Sequence, residues 1–148
     1  INVQGDEPLI EPRDIQSVLN ESHKSPNSII NAMCKINIES DFYNPTVPKV
    51  VTRPDNTLLY MSRAGIPTNK KHAFLSAKKQ VCIYAFPKDS LKKFASIKTK
   101  TPLEEVEDIE ILRFLELGYD VKMVNVSSSA VAIDIPEDVE KVKAILNG

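Results

Sequence analysis

The sequence predicts a single domain of the α/β class, residues 1–148, with a mostly parallel sheet interrupted by a β-hairpin. Three observations support this prediction. Apolar runs of strand length alternate with segments whose apolar residues recur at helical spacing. Two β-type runs flank the turn signal Pro54-Asp55-Asn56. The length of 148 residues, 42% of them hydrophobic, suits one core.

In the first half of the chain we expect strands, one helix and a hairpin. Ile1 to Val3 has the pattern of a buried strand end that leads into a loop. Pro12 suits the first turn of a helix, whose apolar stripe is Ile15, Val18 and Leu19. A strand is expected within residues 28–38. The β-type runs 48–53 and 57–62 form the hairpin, which we place as an insertion over about residues 45–67.

The second half alternates strands with helices. Residues 80–86 form a continuous apolar run of buried-strand length. A helix follows from Lys88, with Asp89 or Ser90 as its cap and Leu91, Phe94 and Ala95 facing inward. Thr101 and Pro102 begin another helix that runs to Gly118. Strands are then expected over residues 119–126 and 130–133, and a last helix begins at Pro136.

Composition excludes several classes of protein. Lysine and arginine total 19 against 20 acidic residues, so bulk positive charge cannot drive nucleic-acid binding. No apolar run approaches the ~20 residues of a membrane helix, and no signal peptide is visible. Cys34 and Cys82 form neither a metal-binding spacing nor a disulfide framework, which indicates thiols in a reducing, cytoplasmic compartment. The four glycines are scattered, so the chain contains no phosphate-binding glycine loop.

The hairpin is too apolar to stand alone in water, because Val50, Leu58 and Tyr60 need cover. We expect it to pack on the body of the domain or on a second subunit. The second possibility predicts a homodimer.

Two aspartates follow apolar strands, at the positions where open α/β sheets bind ligands. Asp6 comes after the first strand, and Asp134 comes after residues 130–133. Together they could hold one Mg²⁺, which favours one or two carboxylates with water and phosphates. Each also has a purely structural interpretation: Asp134 can complement a helix dipole, and Asp6 can form a turn beside Gly5.

Charged side chains offer further candidates. Arg63 ends the second hairpin strand, and its guanidinium suits a carboxylate or phosphate, although an ordinary surface arginine fits the pattern equally well. Residues 70–100 hold nine lysines and one acid, Asp89, and an acidic segment follows from Glu104 to Glu116. We interpret both segments mostly as solvated faces, partly paired with each other.

Five segments, in order along nearly the whole chain, resemble the 3-deoxy-D-manno-octulosonate (KDO) cytidylyltransferase family. Residues 2–10 are similar to its NVQGDEP(L/F)I segment, and residues 42–51 to its FNPNxVKVV stretch. Residues 59–67 resemble ALYFSRAxIP, residues 102–113 resemble PLExxExLEQLR, and residues 133–138 resemble VDTPEDL. This combination of motifs is specific to the family.

The resemblance implies a Rossmann-like nucleotidyltransferase that joins a sugar acid to CMP, using CTP and Mg²⁺ and releasing pyrophosphate. It implies that Asp6 and Asp134 are catalytic metal ligands, and that Gln4 and Arg63 belong to the sugar-acid site. Tyr84 and Glu110 fall at substrate-side positions. The family's hairpin contributes to a homodimer interface. No nucleic acid and no membrane is implied as a partner.

The departures from the family pattern also lead to expectations. Gln80 and Cys82 stand where the family usually has a histidine and a glycine, so the sugar acid could be KDO or a close relative. The family's first half, with its nucleotide loop, is not in these 148 residues. We therefore expect the N-terminal nucleotide-binding half to be absent and this chain alone to be inactive. A non-catalytic detached domain that keeps the dimerisation and sugar-binding surface is the alternative. A hexose 1-phosphate enzyme fits the motifs less well.

Overall fold

A computed structural model of the chain describes residues 1–5, 7–127, 133 and 136–147. Its strands are β1 (Asn2–Val3), β2 (Ile29–Lys35), β3 (Lys49–Thr52), β4 (Leu58–Ser62), β5 (Lys78–Ala85) and β6 (Val121–Asn125). Its helices are α1 (Pro12–Lys24), α2 (Glu39–Tyr43), α3 (Lys88–Ser96), α4 (Pro102–Glu107), α5 (Ile111–Glu116) and α6 (Pro136–Asn147). The α/β class is therefore confirmed.

The sheet is mixed, so the prediction of a mostly parallel sheet is wrong. Its six strands run in the order β4-β3-β5-β2-β6, and β1 pairs with β5. Among the described strands only β2 and β6 pair in parallel, and the other pairings are antiparallel. The physical reason lies in the connections. A parallel neighbour needs a crossover, usually a helix, but only the five-residue α2 and the hairpin separate β2 from β5.

The sheet carries a core on each face. Val18 of α1 packs with Ile30, Val81 and Ile83 on one side. The other side is covered by α5 and the hairpin, in a larger cluster that includes Met33, Val50, Leu58, Met61, Tyr84, Leu112 and Phe114. Helix α1 forms as predicted because Pro12 suits its first turn and its apolar stripe faces the sheet.

The single helix predicted over residues 101–118 is in fact two short helices. Thr101 and Glu104 form a capping box at the start of α4, as Thr101 was expected to do. Asp108 then adopts a left-handed conformation, with φ 52°, and ends α4 before α5 begins. The apolar residues of this segment therefore do not form one continuous helix face, and Val106 is 82% exposed.

The hairpin forms as predicted from β3 and β4, but it extends the main sheet through the pairing of β3 with β5. Val50 and Leu58 are both buried within this chain. The hairpin turn also crosses to the far edge of the sheet, where Asn56 accepts a hydrogen bond from the Met123 amide at 2.9 Å. The apolar residues that suggested a second subunit therefore have their cover inside the domain.

The beginning of the chain differs from expectation, and part of its end lies outside the described residues. Ile1 and Val3 are 59% and 40% exposed, so the first strand is not a buried strand end. Residues 130–132 of the predicted strand 130–133 fall outside the described ranges. Both cysteines are free thiols. Among the described helices, none has the length and apolarity needed to cross a bilayer.

Candidate active site

Two of the predicted substrate residues lie within or directly after neighbouring strands. Gln4 follows β1, and Tyr84 lies near the end of β5. The two strands pair with Asn2 opposite Tyr84, and the Gln4 amide donates to the Cys82 carbonyl at 3.1 Å. The antiparallel pairing of β1 with β5, which the sequence did not predict, thus places Gln4 opposite Cys82, two residues before Tyr84.

Tyr84 is almost buried and faces the larger core cluster. Its ring stacks on Phe86 with centroids 5.6 Å apart. Burial raises the pKa of the Tyr84 phenol, and the neighbouring Cys82 thiol and the Glu110 carboxylate raise it further. The phenol therefore keeps its proton and remains a hydrogen-bond donor. Glu110 itself is exposed at the start of α5, so a third predicted residue lies in the electrostatic surroundings of Tyr84.

Arg63, the fourth predicted substrate residue, has part of its guanidinium committed to backbone carbonyls. Its Nε donates to the Glu107 carbonyl at 2.6 Å, and its two terminal nitrogens donate to Pro45 and Asp108 at 3.0 Å each. A guanidinium has five N–H donors, so two remain for another partner. Among the described residues, no carboxylate pairs with this guanidinium within ion-pair distance, although the charges of Glu107 and Asp108 lie near enough to interact with it.

Glu107 joins the end of the hairpin to the turn after α4, and the sequence interpretation missed it. Its carboxylate accepts hydrogen bonds from the Tyr60 hydroxyl, the Ser62 hydroxyl and the Arg63 amide, at 3.1, 2.6 and 2.8 Å. Burial alone would raise the pKa of Glu107, but these bonds hold it below its usual value. An ionised Glu107 therefore fixes the backbone that carries Arg63. In the sequence, Glu107 was one acid of a segment that we interpreted as a solvated face, and nothing indicated that it binds the hairpin.

Lys49 is a fully buried lysine beside Arg63, and its motif gave no sign of this burial. Its ammonium donates to the Asn44 carbonyl at 2.7 Å, next to the Pro45 carbonyl that Arg63 binds. Burial lowers the pKa of Lys49 to about 8, and the charge of Arg63 lowers it too, while Glu107 and Asp41 oppose the change. This end of the hairpin thus brings two cations, Lys49 and Arg63, close to the carboxylate of Glu107.

Arg113 is a buried arginine whose charge is paired with a carboxylate. Arg113 binds Glu104 through two hydrogen bonds of 2.5 and 2.6 Å, and its guanidinium lies 3.9 Å from the Phe94 ring centroid. Burial would raise the pKa of Glu104, but Arg113 and Thr101 hold it below its usual value. Part of the acidic segment expected to be a solvated face is therefore a buried ion pair.

Glu7 and Asn31 complete the surroundings of β5, and neither was a candidate from the sequence. The buried Glu7 carboxylate accepts the Cys82 amide at 2.7 Å. The fully buried Asn31 side chain donates to the Val81 and Ile83 carbonyls, at 3.0 Å each. A motif included Glu7 without indicating its role, and an asparagine within an apolar strand has no recognisable pattern.

The two predicted metal ligands, Asp6 and Asp134, lie outside the described residues. Within the described ranges no group of three or more histidine, cysteine, aspartate or glutamate side chains could hold a metal ion. The Mg²⁺ prediction therefore remains a prediction, supported by the chemistry of two carboxylates, which are the oxygen ligands that this ion prefers.

Comparison with known proteins adds an independent observation. The sequence matches the cytidylyltransferase family over residues 1–127. It is 34% identical over 147 residues to the 3-deoxy-manno-octulosonate cytidylyltransferase of Acidobacterium capsulatum, covering 99% of this chain and 59% of that protein. The enzyme of the same name from Nitratiruptor sp. is 39% identical over 147 residues, and the match covers 97% of this chain and 61% of the relative. The chain thus spans about three-fifths of the length of the curated relatives it matches.

Solved structures show the same relationship. A CMP:2-keto-3-deoxy-manno-octonic acid synthetase complexed with CTP superposes with a TM-score of 0.86 and 29% identity, covering 98% of this chain and 60% of that one. A 4-diphosphocytidyl-2C-methyl-D-erythritol synthase from Anaerococcus prevotii superposes at 0.59 with 15% identity, over 99% of this chain and 57% of that one, which is a likeness of fold alone.

Proposed function

Because this chain belongs to the cytidylyltransferase family, we propose that the protein transfers CMP from CTP to KDO or a close relative, and that pyrophosphate is released. The observation that carries the proposal is the pairing of β1 with β5, which places Gln4 opposite Cys82, two residues before Tyr84. Relatives that cover nearly the whole of this chain carry the name of that activity. The sugar acid is left open between KDO and a relative because Gln80 and Cys82 depart from the family motif.

The described residues suggest a division of tasks at the sugar-acid site. The protonated phenol of Tyr84 and the side-chain amide of Gln4 would hydrogen-bond the sugar hydroxyls. Arg63, with two free donors and a charge that no described carboxylate pairs with, would bind the carboxylate of the sugar acid. Glu110 would orient the hydroxyls from the helix side. Most of the catalytic effect of these residues would be positioning.

Asp6 and Asp134 are proposed to hold one Mg²⁺. When bound, this ion would neutralise charge on the CTP phosphates and thereby favour attack by a sugar hydroxyl. The chain's own contribution is to supply two carboxylates, each following an apolar segment.

A homodimer and a cytoplasmic location are part of the same proposal. Since Val50 and Leu58 are buried within the domain, a dimer interface would use the outward-facing side of the hairpin, where Leu59 is 51% exposed. A cytoplasmic location agrees with two free thiols and with the use of a nucleoside triphosphate.

The proposal is tested by pyrophosphate release from CTP in the presence of Mg²⁺ and KDO, using the complete protein. We expect turnover in the wild type, and strong losses of kcat in Asp6→Asn and Asp134→Asn with unchanged melting temperatures. The double variant should be little worse than either single variant, because residues that act as a unit are not additive. Asp89→Asn is the matched control, since Asp89 is exposed on α3 and pairs only with Lys92 among the described residues.

Two outcomes would contradict parts of the proposal. Binding of KDO without any turnover in the wild type would favour a non-catalytic domain. Near-wild-type kcat in Asp134→Asn would reduce Asp134 to a residue that starts a helix.

A further inference from the structure

Strand β5 contains a bulge beside the proposed sugar-acid site. Asn31 of β2 pairs with Tyr84, but the next residue, Ala32, pairs with Val81. One step along β2 therefore matches three steps along β5, and Cys82 and Ile83 lie opposite no residue of β2. Bulges bend a strand and re-aim its side chains, and they recur next to active sites. Here the bulge immediately precedes Tyr84.

A bulge interrupts the hydrogen-bond ladder, so its backbone groups need other partners. The side chain of Asn31 supplies them on the β2 side. Its Nδ2 donates to the carbonyls of Val81 and Ile83 at 3.0 Å each, and its Oδ1 accepts from Gln80 Nε2 at 3.0 Å. Asn31 is fully buried, so water cannot replace these bonds.

The opposite side of the bulge is held by the segment that contains Gln4. The Cys82 carbonyl accepts the Gln4 amide at 3.1 Å, and the Cys82 amide donates to the Glu7 carboxylate at 2.7 Å. The geometry of the bulge therefore determines where both Gln4 and Tyr84 stand. Asn31 is the residue that binds the two carbonyls on the β2 side.

We propose that Asn31 is a positioning residue for the sugar-acid site, acting through the bulge on Tyr84 and Gln4; this inference rests on the proposed function. Removing its amide would leave two buried carbonyls without donors, which is costly enough to make the bulge relax. The relaxed backbone would displace the side chains on both sides of it. Residues that bind the nucleotide elsewhere would be unaffected, so the change should be selective for the sugar acid.

The test compares variants of the complete protein. Asn31→Leu keeps the branching at Cγ and has no donor, and Asn31→Ser keeps one hydroxyl donor and serves if the leucine variant does not fold. The matched control is Ile36→Ala, which removes a buried side chain beyond the other end of β2, in a separate cluster with Phe42. Steady-state kinetics gives KM for KDO and for CTP, and hydrogen exchange reports on the Cys82 amide.

In the Asn31 variants we expect KM for KDO to rise about tenfold, which corresponds to the free energy of one or two lost buried hydrogen bonds. KM for CTP should stay within error, and the Cys82 amide should exchange faster. Ile36→Ala should lower the melting temperature to a similar extent and leave both KM values and that exchange rate unchanged.

An unchanged KM for KDO in a folded Asn31 variant, an equal rise in both KM values, or the same rise in Ile36→Ala would overturn the inference. Unaltered exchange at Cys82 would also overturn it. Failure of the wild type to turn over KDO would instead contradict the proposed function, and this inference with it. The two failures are distinguishable because the wild type is assayed before any variant.

Discussion

Arg113 and Arg63 lie in two regions of the molecule that treat positive charge in opposite ways. Arg113, between α4 and α5, binds the carboxylate of Glu104 with two hydrogen bonds and stacks on Phe94. Arg63, at the end of the hairpin, donates to three backbone carbonyls and makes no ion pair with any carboxylate that the structure describes. Both guanidiniums are held in place, but only Arg113 has its charge matched by a carboxylate.

This difference separates a supporting role from a binding role. A buried arginine with a matched carboxylate contributes to the fold and leaves no charge for a ligand. Carbonyl dipoles orient Arg63 without cancelling its charge, and the buried Lys49 adds a second cation nearby. The two unused donors of Arg63 are the basis of its proposed role at the sugar-acid site, whereas Arg113 has its charge engaged by Glu104.

The largest expected effect would come from breaking the matched pair. Arg113→Leu leaves Glu104 charged and buried, so we expect the free energy of unfolding in urea to fall by about 3–5 kcal/mol at pH 7. Arg13→Leu, which removes an exposed arginine paired with Glu11, should cost less than about 1 kcal/mol. Equal losses in the two variants would mean that burial does not distinguish these arginines.

A smaller effect, on binding, is expected at the hairpin end. Arg63→Lys keeps the charge but loses the planar fork, so the affinity for the sugar acid should fall by about 1.5–3 kcal/mol. Titration of the complete protein with KDO would measure it, with Arg53→Lys as a control at an exposed arginine in the hairpin turn. An unaltered affinity would mean that the unmatched charge of Arg63 serves only to hold Pro45 and the turn after α4.

The smallest effect concerns the pH dependence of Lys49. Its pKa of about 8 in the folded protein lies below the ordinary lysine value of 10.5, because of burial and the charge of Arg63. Between these values the unfolded chain binds the proton that the folded chain has released, so stability rises with pH. Relative to Lys49→Met, the wild type should gain at most about 1.4 kcal/mol per pH unit in this window. Parallel stability curves for the two proteins would refute the low pKa.

Local elements were predictable because their signals are local. Pro12 and the apolar spacing after it gave α1, and the turn signal at Asp55 gave the hairpin. The start of a helix at Thr101 was predicted, but the break at Asp108 was not, because a left-handed aspartate has no distinctive neighbours. Strand order failed for a different reason. The antiparallel course of β5 follows from how three segments meet in space, and no local pattern encodes it.

The site was predicted in the same uneven way. Motifs indicated Gln4, Arg63, Tyr84 and Glu110 as substrate residues. The structure places Gln4 opposite Cys82, two residues before Tyr84, and Glu110 within the electrostatic surroundings of Tyr84. It also shows that Arg63 is partly engaged with backbone carbonyls, which its spacing could not reveal. Asn31 was missed because its importance depends on a bulge in another strand. A residue that stabilises a bulge, as Asn31 does, cannot be recognised before the bulge itself is known.

The contact between the hairpin turn and β6 determines the order in which the domain can be completed during synthesis. Lys122 bonds to Thr57 at 2.7 Å across a sequence separation of 65 residues. At about 5–20 residues per second, β6 leaves the ribosome several seconds after the hairpin does. During that interval Leu58, on the strand that follows the turn, lacks the β6 side of its packing, and the nascent chain exposes an apolar strand edge. Mutations that slow translation between the hairpin and β6 would lengthen this exposure, so soluble yield should depend on codon usage in that stretch.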